Sequence, residues 1–399
     1  MIHFNESTTF NQPLTEVDSQ LLGELSAQAS QRFWQSQPAY RPTPLQALSA
    51  LASSLSIGEL YVKDEAHRLG LQSFKALGGA YAVVTLAQEE VAKRLGQQVS
   101  WETLRQPIHQ EVIQRLTFAC ATDGNHGRSV AFGAQLVGAK AVIFVHPGVS
   151  QRRRQRMAEL GAQIVEVPGS YDDAVREASR VSDRNGWLLT SDTSWPGYEH
   201  VPGLVMQGYL TLWQESISQL PRLPSHIFIQ AGVGGLAAAL AGHLASCWGA
   251  DRPKIIIVEP QRAACLFESA KADQRVSLPP GESTVMAMLE CYEPSAIAWR
   301  ILLRTTDAFL TIRDEMAIDS MIRLARPLDD DPAIISGESG GAGLAGLLQV
   351  CQHQDWREAL GITSHSCVMV INTEGATDPD RYEALVGIPL LPGSNESVN

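Results

Sequence analysis

The chain has 399 residues, 44% of them hydrophobic and 19% charged, enough to bury a sizeable core and to form two or three lobes. Its formal net charge of -12 opposes non-specific attraction to nucleic acid or to anionic membrane. The opening "MIHFNESTTFNQ" lacks the basic start and apolar run of a signal peptide, and no stretch approaches the roughly 18 apolar residues of a membrane span, so a cytoplasmic protein is expected.

In chain order, strand-like runs begin at Leu60 ("LYVKD"), Leu116 ("LTFACAT"), Lys140 ("KAVIFVH"), Gln163 ("QIVEV"), Trp187 ("WLLTS"), His226 ("HIFIQA"), Lys254 ("KIIIVEP") and Cys367 ("CVMVINT"). Helical patterns separate them, which predicts βαβ units and largely parallel sheets. "IIIV" and "VMVI" lack period-two alternation, as strands covered by helices on both faces do. Eight such strands exceed what one lobe usually holds, so the predicted class is α/β with two sheets. The cluster "QRRRQRM" at 151–157 opens a predicted helix and reads as a solvated helix face. Residues 271–300, interrupted by Pro279, Pro280 and Gly281, form a long irregular segment of the kind used as a lid or an interface. The final "PGSNESVN" reads as a frayed tail.

Six cysteines show no CxxC and no paired Cys/His spacing, so neither a disulfide framework nor a zinc site is expected, although Cys265 and Cys291 flank the irregular segment and are placed to face each other. No metal is expected anywhere, because the acids and histidines lack ligand spacing.

Four stretches carry chemistry. "LQSFKALGGAYAV" sets Lys75 among small and apolar residues at a helix start; alone it reads as an exposed helix lysine, whereas a buried one would be a nucleophilic amine able to form a Schiff base. "IQAGVGGLAAAL" follows a strand and opens a helix, so its glycines let backbone amides approach a phosphate. The same loop imitates a dinucleotide fingerprint, with Glu259 where a ribose-binding acid would stand. "IISGESGGAGL" is equally a close helix-to-strand packing turn, and Thr373 in "VINTEG" is equally a turn cap. In "ATDGNHG", Asp123 and Asn125 are better placed to point at a ligand than His126, which reads as structural. Asp123 and Asp192 each follow a strand, and each is as readily a helix cap as a functional acid.

In this order the motifs, starting from "YRPTPLQAL", resemble the fold-type II (tryptophan synthase β-like) family of pyridoxal 5'-phosphate (PLP) enzymes over nearly the whole chain. Within it, "FKALGGAYA", "ATDGNHGR", "SDTSWPGY", "QAGVGGLA" and "IISGESGGAGL" are similar to the diaminopropionate ammonia-lyase family, and Asp123 stands where dehydratases usually carry serine. The resemblance implies a two-lobed fold, with 1–82 and 200–399 as the large PLP-binding domain and 83–199 as a smaller α/β domain. It makes Lys75 the Schiff-base lysine and Gly232, Val233, Gly234, Gly235 and Leu236 the phosphate loop. Asn125 would hold the phenolic oxygen, Thr373 would meet the pyridine nitrogen, and Asp123 and Asp192 would stand near the substrate, with carboxyl pKa values raised by shielding from water. It further implies a homodimer with a small amino-acid substrate, converting D- and L-2,3-diaminopropionate to pyruvate and two ammonia. A serine or threonine dehydratase is the alternative, and a dinucleotide-dependent oxidoreductase, which would leave Lys75 unexplained, a more distant one.

Overall fold

The eight runs read as strands all form, and the computed structural model, which describes residues 1–390, divides them between two sheets. The tail expected at 392–399 lies outside the described residues. Three further strands join them, giving β1 (Ile2–Phe4), β2 (Leu45–Ala47), β3 (Glu59–Asp64), β4 (Thr117–Ala121), β5 (Lys140–Val145), β6 (Gln163–Glu166), β7 (Leu188–Leu189), β8 (His226–Gln230), β9 (Lys254–Pro260), β10 (Ala308–Ile312) and β11 (Cys367–Asn372). The additions have physical reasons. β1 and β2 are three-residue edge strands, too short to show a period, and β10 follows an apolar helix, where a short apolar run merges with its neighbour.

The first unit, residues 1–28, 39–74 and 212–399, holds a seven-stranded sheet in the order β1-β10-β9-β8-β11-β3-β2. Its five inner strands run parallel and only the edge strands β1 and β2 pair antiparallel. Val62, Phe228, Ile256, Val258, Leu310 and Val370 belong to its buried core, which explains the unbroken apolar runs. One buried cluster in this unit joins four charged side chains: Lys63 pairs with Glu215 at 2.7 Å, and Arg68 with Glu215 at 2.6 Å and Glu65 at 2.8 Å. Two cations and two carboxylates thus balance, and the hydroxyls of Tyr40 and Thr43 donate to Glu215 and Glu65.

The second unit, residues 29–38 and 75–211, holds a parallel four-stranded sheet in the order β6-β5-β4-β7. It begins at Lys75 because Lys75–Leu95 is one continuous helix packed along Asn125–Val137, so its first turns stay with the second unit. Small residues allow that packing. A Cβ on Gly133 would lie 2.7 Å from Cα of Ala80, and one on Gly79 would lie 2.6 Å from Oγ of Ser129. The Ser129 hydroxyl then ties the two helices together, accepting from the Ala80 amide at 2.9 Å and donating to the Ala76 carbonyl at 3.1 Å. The basic cluster at 151–157 is less solvated than expected: the Arg153 stem lies 3.3 Å from where a Gly124 side chain would begin, and Arg154 donates to the Val149 and Pro147 carbonyls. No helix among the described residues is long and apolar enough to cross a membrane.

Candidate active site

In the second unit β4 and β7 lie side by side and parallel, so the turns that follow them open at the same sheet edge, where α/β proteins bind ligands. The turn after β4 carries Asp123, Asn125 and His126; the turn after β7 carries Asp192. Lys75, the first residue of its helix, donates from Nζ to Oδ2 of Asp192. Burial opposes a charge on Asp192, but the Lys75 ammonium and the hydrogen bond it donates outweigh it and hold the carboxyl well below the usual carboxylate range. This corrects the raised pKa expected for Asp192: shielding from water is present, but a cation was shielded with it.

His126, read from sequence as structural, belongs to this cluster. Its Nε2 lies 2.7 Å from the Thr190 carbonyl, which only accepts, so Nε2 carries the hydrogen and Nδ1 presents a lone pair. Nδ1 is buried without a hydrogen-bond partner, 3.8 Å from Oδ2 of Asp192, and burial lowers the ring's pKa. Asp123 is not a helix cap. The Thr122 hydroxyl takes that role, accepting from the amides of Gly124 at 3.0 Å and Gly127 at 3.1 Å. The Asp123 carboxylate instead meets Nε2 of His146 at 2.7 Å.

In the first unit β8 ends at Gln230, and residues 231–234 turn into the helix Gly235–Trp248. Gly234 caps that helix at φ 98° and has no side chain to accept from its first turn, which leaves the amides of that turn suited to an anion. Gly232 is required by contact: a Cβ there would lie 2.9 Å from Sγ of Cys291. The irregular 271–300 segment is thus the wall behind this loop, and its Ser295 amide donates to the Val233 carbonyl at 3.0 Å. At the end of the neighbouring β11, Thr373 Oγ1 accepts from Nε2 of Gln230 at 2.9 Å. The Gln230 nitrogen also faces the carbonyls of Ile371 at 3.0 Å and Ser339 at 3.1 Å. Carbonyls only accept, so the amide orientation is settled and the Thr373 hydroxyl is left to donate elsewhere. The Phe74 amide, one residue before Lys75, donates to the Thr373 carbonyl at 3.1 Å.

Residues 36–371 match the family described as "Pyridoxal-phosphate dependent enzyme". The chain is 38% identical over 374 residues to the diaminopropionate ammonia-lyase of Escherichia coli strain K12, covering 92% of this chain and 93% of the relative. It belongs to the diaminopropionate ammonia-lyase family of pyridoxal-phosphate dependent enzymes. Two crystal structures of the Escherichia coli enzyme agree: the complex with the aminoacrylate-PLP azomethine reaction intermediate has a TM-score of 0.86 at 36% identity and covers 99% of this chain and 97% of that one. The complex with D-serine has a TM-score of 0.87 at 35% identity, covering 99% and 98%. Diaminopropionate ammonia-lyases are carbon-nitrogen lyases of fold type II, and the cofactor is pyridoxal phosphate.

The residues present fit that cofactor. A glycine loop at a helix N-terminus suits its phosphate, a hydroxyl already turned to donate suits its ring nitrogen, and an amine at a helix start suits its aldehyde. Glu259 removes the basis of the dinucleotide reading. It is fully buried, burial pushes its carboxyl up to about 8, and both oxygens accept backbone amides, Leu266 at 2.8 Å and Phe267 at 2.7 Å, so it caps a helix. "IISGESGGAGL" is a close-packing turn, since a Cβ on Gly340 would fall 2.4 Å from the Glu374 carbonyl oxygen. Sequence reasoning missed His146, Gln230 and the role of His126. The available signal was position: His146 follows β5 and Gln230 ends β8, both at the carboxyl ends of parallel strands.

Proposed function

We propose that the chain eliminates ammonia from 2,3-diaminopropionate, both D and L isomers, giving pyruvate and two ammonia with the uptake of one water. The observation that carries this reading is that two carboxylates, Asp123 and Asp192, follow neighbouring parallel strands and neither caps a helix. The D-serine complex of the Escherichia coli relative supports a site that admits a D-amino acid.

Pyridoxal phosphate, when bound, withdraws electrons from the substrate's α-carbon and makes its proton acidic. Lys75 would bond the cofactor; Gly232, Val233, Gly234, Gly235 and Leu236 would hold its phosphate, and Asn125 its phenolic oxygen. Thr373, its hydroxyl oriented by Gln230, would donate to the ring nitrogen. A hydroxyl there would leave that nitrogen unprotonated and so favour loss of the β-amine over transamination. The Lys75 amine would take the α-proton of the L isomer from its own face. The D isomer would present its proton to the other face, where Oδ2 of Asp123 would take it, Oδ1 being held by Nε2–H of His146. Asp192 would bind the substrate's β-ammonium in place of the Lys75 amine it holds here, so the leaving nitrogen would already be protonated and would depart as ammonia without a further acid. The same reading makes the protein a cytoplasmic homodimer, which sedimentation of the purified holoenzyme tests.

Steady-state kinetics on the two pure isomers tests the substrate and Asp123 together. Asp123→Asn should lower D turnover by about 100-fold or more and L turnover by less than about 10-fold, the range for loss of a general base. An equal loss for both would leave Asp123 a positional role only, and a parent enzyme inactive on both isomers would refute the substrate.

A further inference from the structure

Towards the C-terminal end of the helix that starts at Gly235, His243 and Cys247 come onto one face, four residues apart, and Glu24 of the helix Glu24–Gln35 stands opposite them. We propose that Glu24, His243 and Cys247 form a divalent-cation site of the zinc class, independent of the PLP chemistry.

The protonation pattern is the first argument. The His243 side chain is fully buried, and its Nδ1 lies 2.7 Å from the Leu22 carbonyl oxygen. A carbonyl only accepts, so Nδ1 carries the hydrogen and Nε2 presents a lone pair. A backbone carbonyl on one ring nitrogen is the usual outer partner of a histidine whose other nitrogen binds metal. A lone pair has nothing to give a carboxylate, yet Nε2 faces Oε2 of Glu24 at 3.9 Å, beyond hydrogen-bond length.

Distances are the second argument. Nε2 of His243 lies 3.8 Å from Sγ of Cys247, and Sγ lies 3.9 Å from Oε2 of Glu24. The three atoms therefore lie within 3.9 Å of one another, close enough for small side-chain turns to bring them to the roughly 2.0–2.3 Å bonds that zinc makes to nitrogen, sulfur and carboxylate oxygen. Sγ is also 3.8 Å from Nδ1, so a turn about χ1 of the exposed Cys247 is what brings the thiolate onto the Nε2 lone pair. Glu24 is already oriented, since Gln28 Nε2 donates to its other oxygen, Oε1, at 2.9 Å. One nitrogen, one sulfur and one oxygen select zinc or cobalt over magnesium or calcium, which take oxygen alone. The exposure of Glu24 and Cys247 leaves water to complete a tetrahedron.

The test uses holoenzyme stripped with chelator and dialysed. Equilibrium dialysis against zinc chloride should give one zinc per chain with a micromolar or tighter Kd. Cobalt(II) should add a thiolate charge-transfer band and tetrahedral d–d bands at red wavelengths, beyond the cofactor's absorption. Cys247→Ser should abolish the charge-transfer band, and Glu24→Gln and Cys247→Ser should each weaken zinc binding at least tenfold while turnover stays unchanged. Both residues are exposed, so neither substitution threatens folding. Zinc uptake only at millimolar concentration, or equal affinity in parent and Cys247→Ser, overturns the site.

Discussion

Nε2 of His146 donates to Oδ1 of Asp123 at 2.7 Å, while the backbone amide of Gly148 donates to Nδ1 of the same ring at 3.1 Å. The amide can only donate, so neutral His146 must carry its hydrogen on Nε2, aimed at the carboxylate. The pair therefore fixes which oxygen of Asp123 is occupied and leaves Oδ2 to meet a proton.

The hydrogen bond to Asp123 raises the pKa of His146 against the opposing effect of its burial. The stabilisation from this pair is fully present below the unfolded histidine pKa, about 6.5, and is lost as pH rises through the higher folded value. An NMR titration of the His146 ring should give a midpoint above 6.5 in the parent. In Asp123→Asn the midpoint should fall towards that of a free histidine; an unchanged midpoint would show that the contact does not persist in solution.

Lys75→Ala should reduce turnover of every substrate by several orders of magnitude, as removal of a covalent catalyst does. Borohydride reduction of the parent holoenzyme followed by peptide mass mapping should place the phosphopyridoxyl group on the peptide containing Lys75. A label on another lysine, or an active alanine variant, contradicts the assignment.

At Gly234 the left-handed backbone and the close approach of Ala298, 3.1 Å from a Cβ built there, act together. Gly234→Val should cost about 1–2 kcal/mol of backbone strain and weaken PLP binding at least tenfold. Fluorescence titration with PLP and thermal melting of the apo form separate the two effects. Equal cofactor affinity in variant and parent counts against the loop.

Gln230→Met keeps volume but removes the donor that orients Thr373. One lost hydrogen bond of about 1 kcal/mol should weaken PLP binding several-fold and shift the visible absorption of the bound cofactor. An unaltered spectrum and affinity would mean that Thr373 needs no such support.

Glu215→Ala would strand Arg68 and Lys63 in the interior, where breaking a buried pair costs about 3–5 kcal/mol. A Tm lowered by less than the Tm loss in an exposed-pair control, Glu177→Ala, would show that water reaches these groups; Glu177 pairs with Arg180 on the surface.

By itself the sequence determined eight of the eleven strands among the described residues, because burial on both faces writes continuous apolar runs, although the buried β10 merged with the apolar helix before it, and it determined the glycine loop at 232–235, because only glycine tolerates φ near 98° at 234 and contact with Cys291 at 232. The motif order carried the cofactor and the family. Only the tertiary structure decided what the polar side chains do. Asp192 is ionised because a cation from a residue 117 positions away pairs with it, and Thr122 rather than Asp123 caps the helix. His146, 23 positions from Asp123, and Glu24, 223 positions from Cys247, acquire their roles the same way. Charge state and hydrogen-bond direction depend on neighbours a few ångströms away in space, and local sequence records those neighbours only when they are also near in the chain.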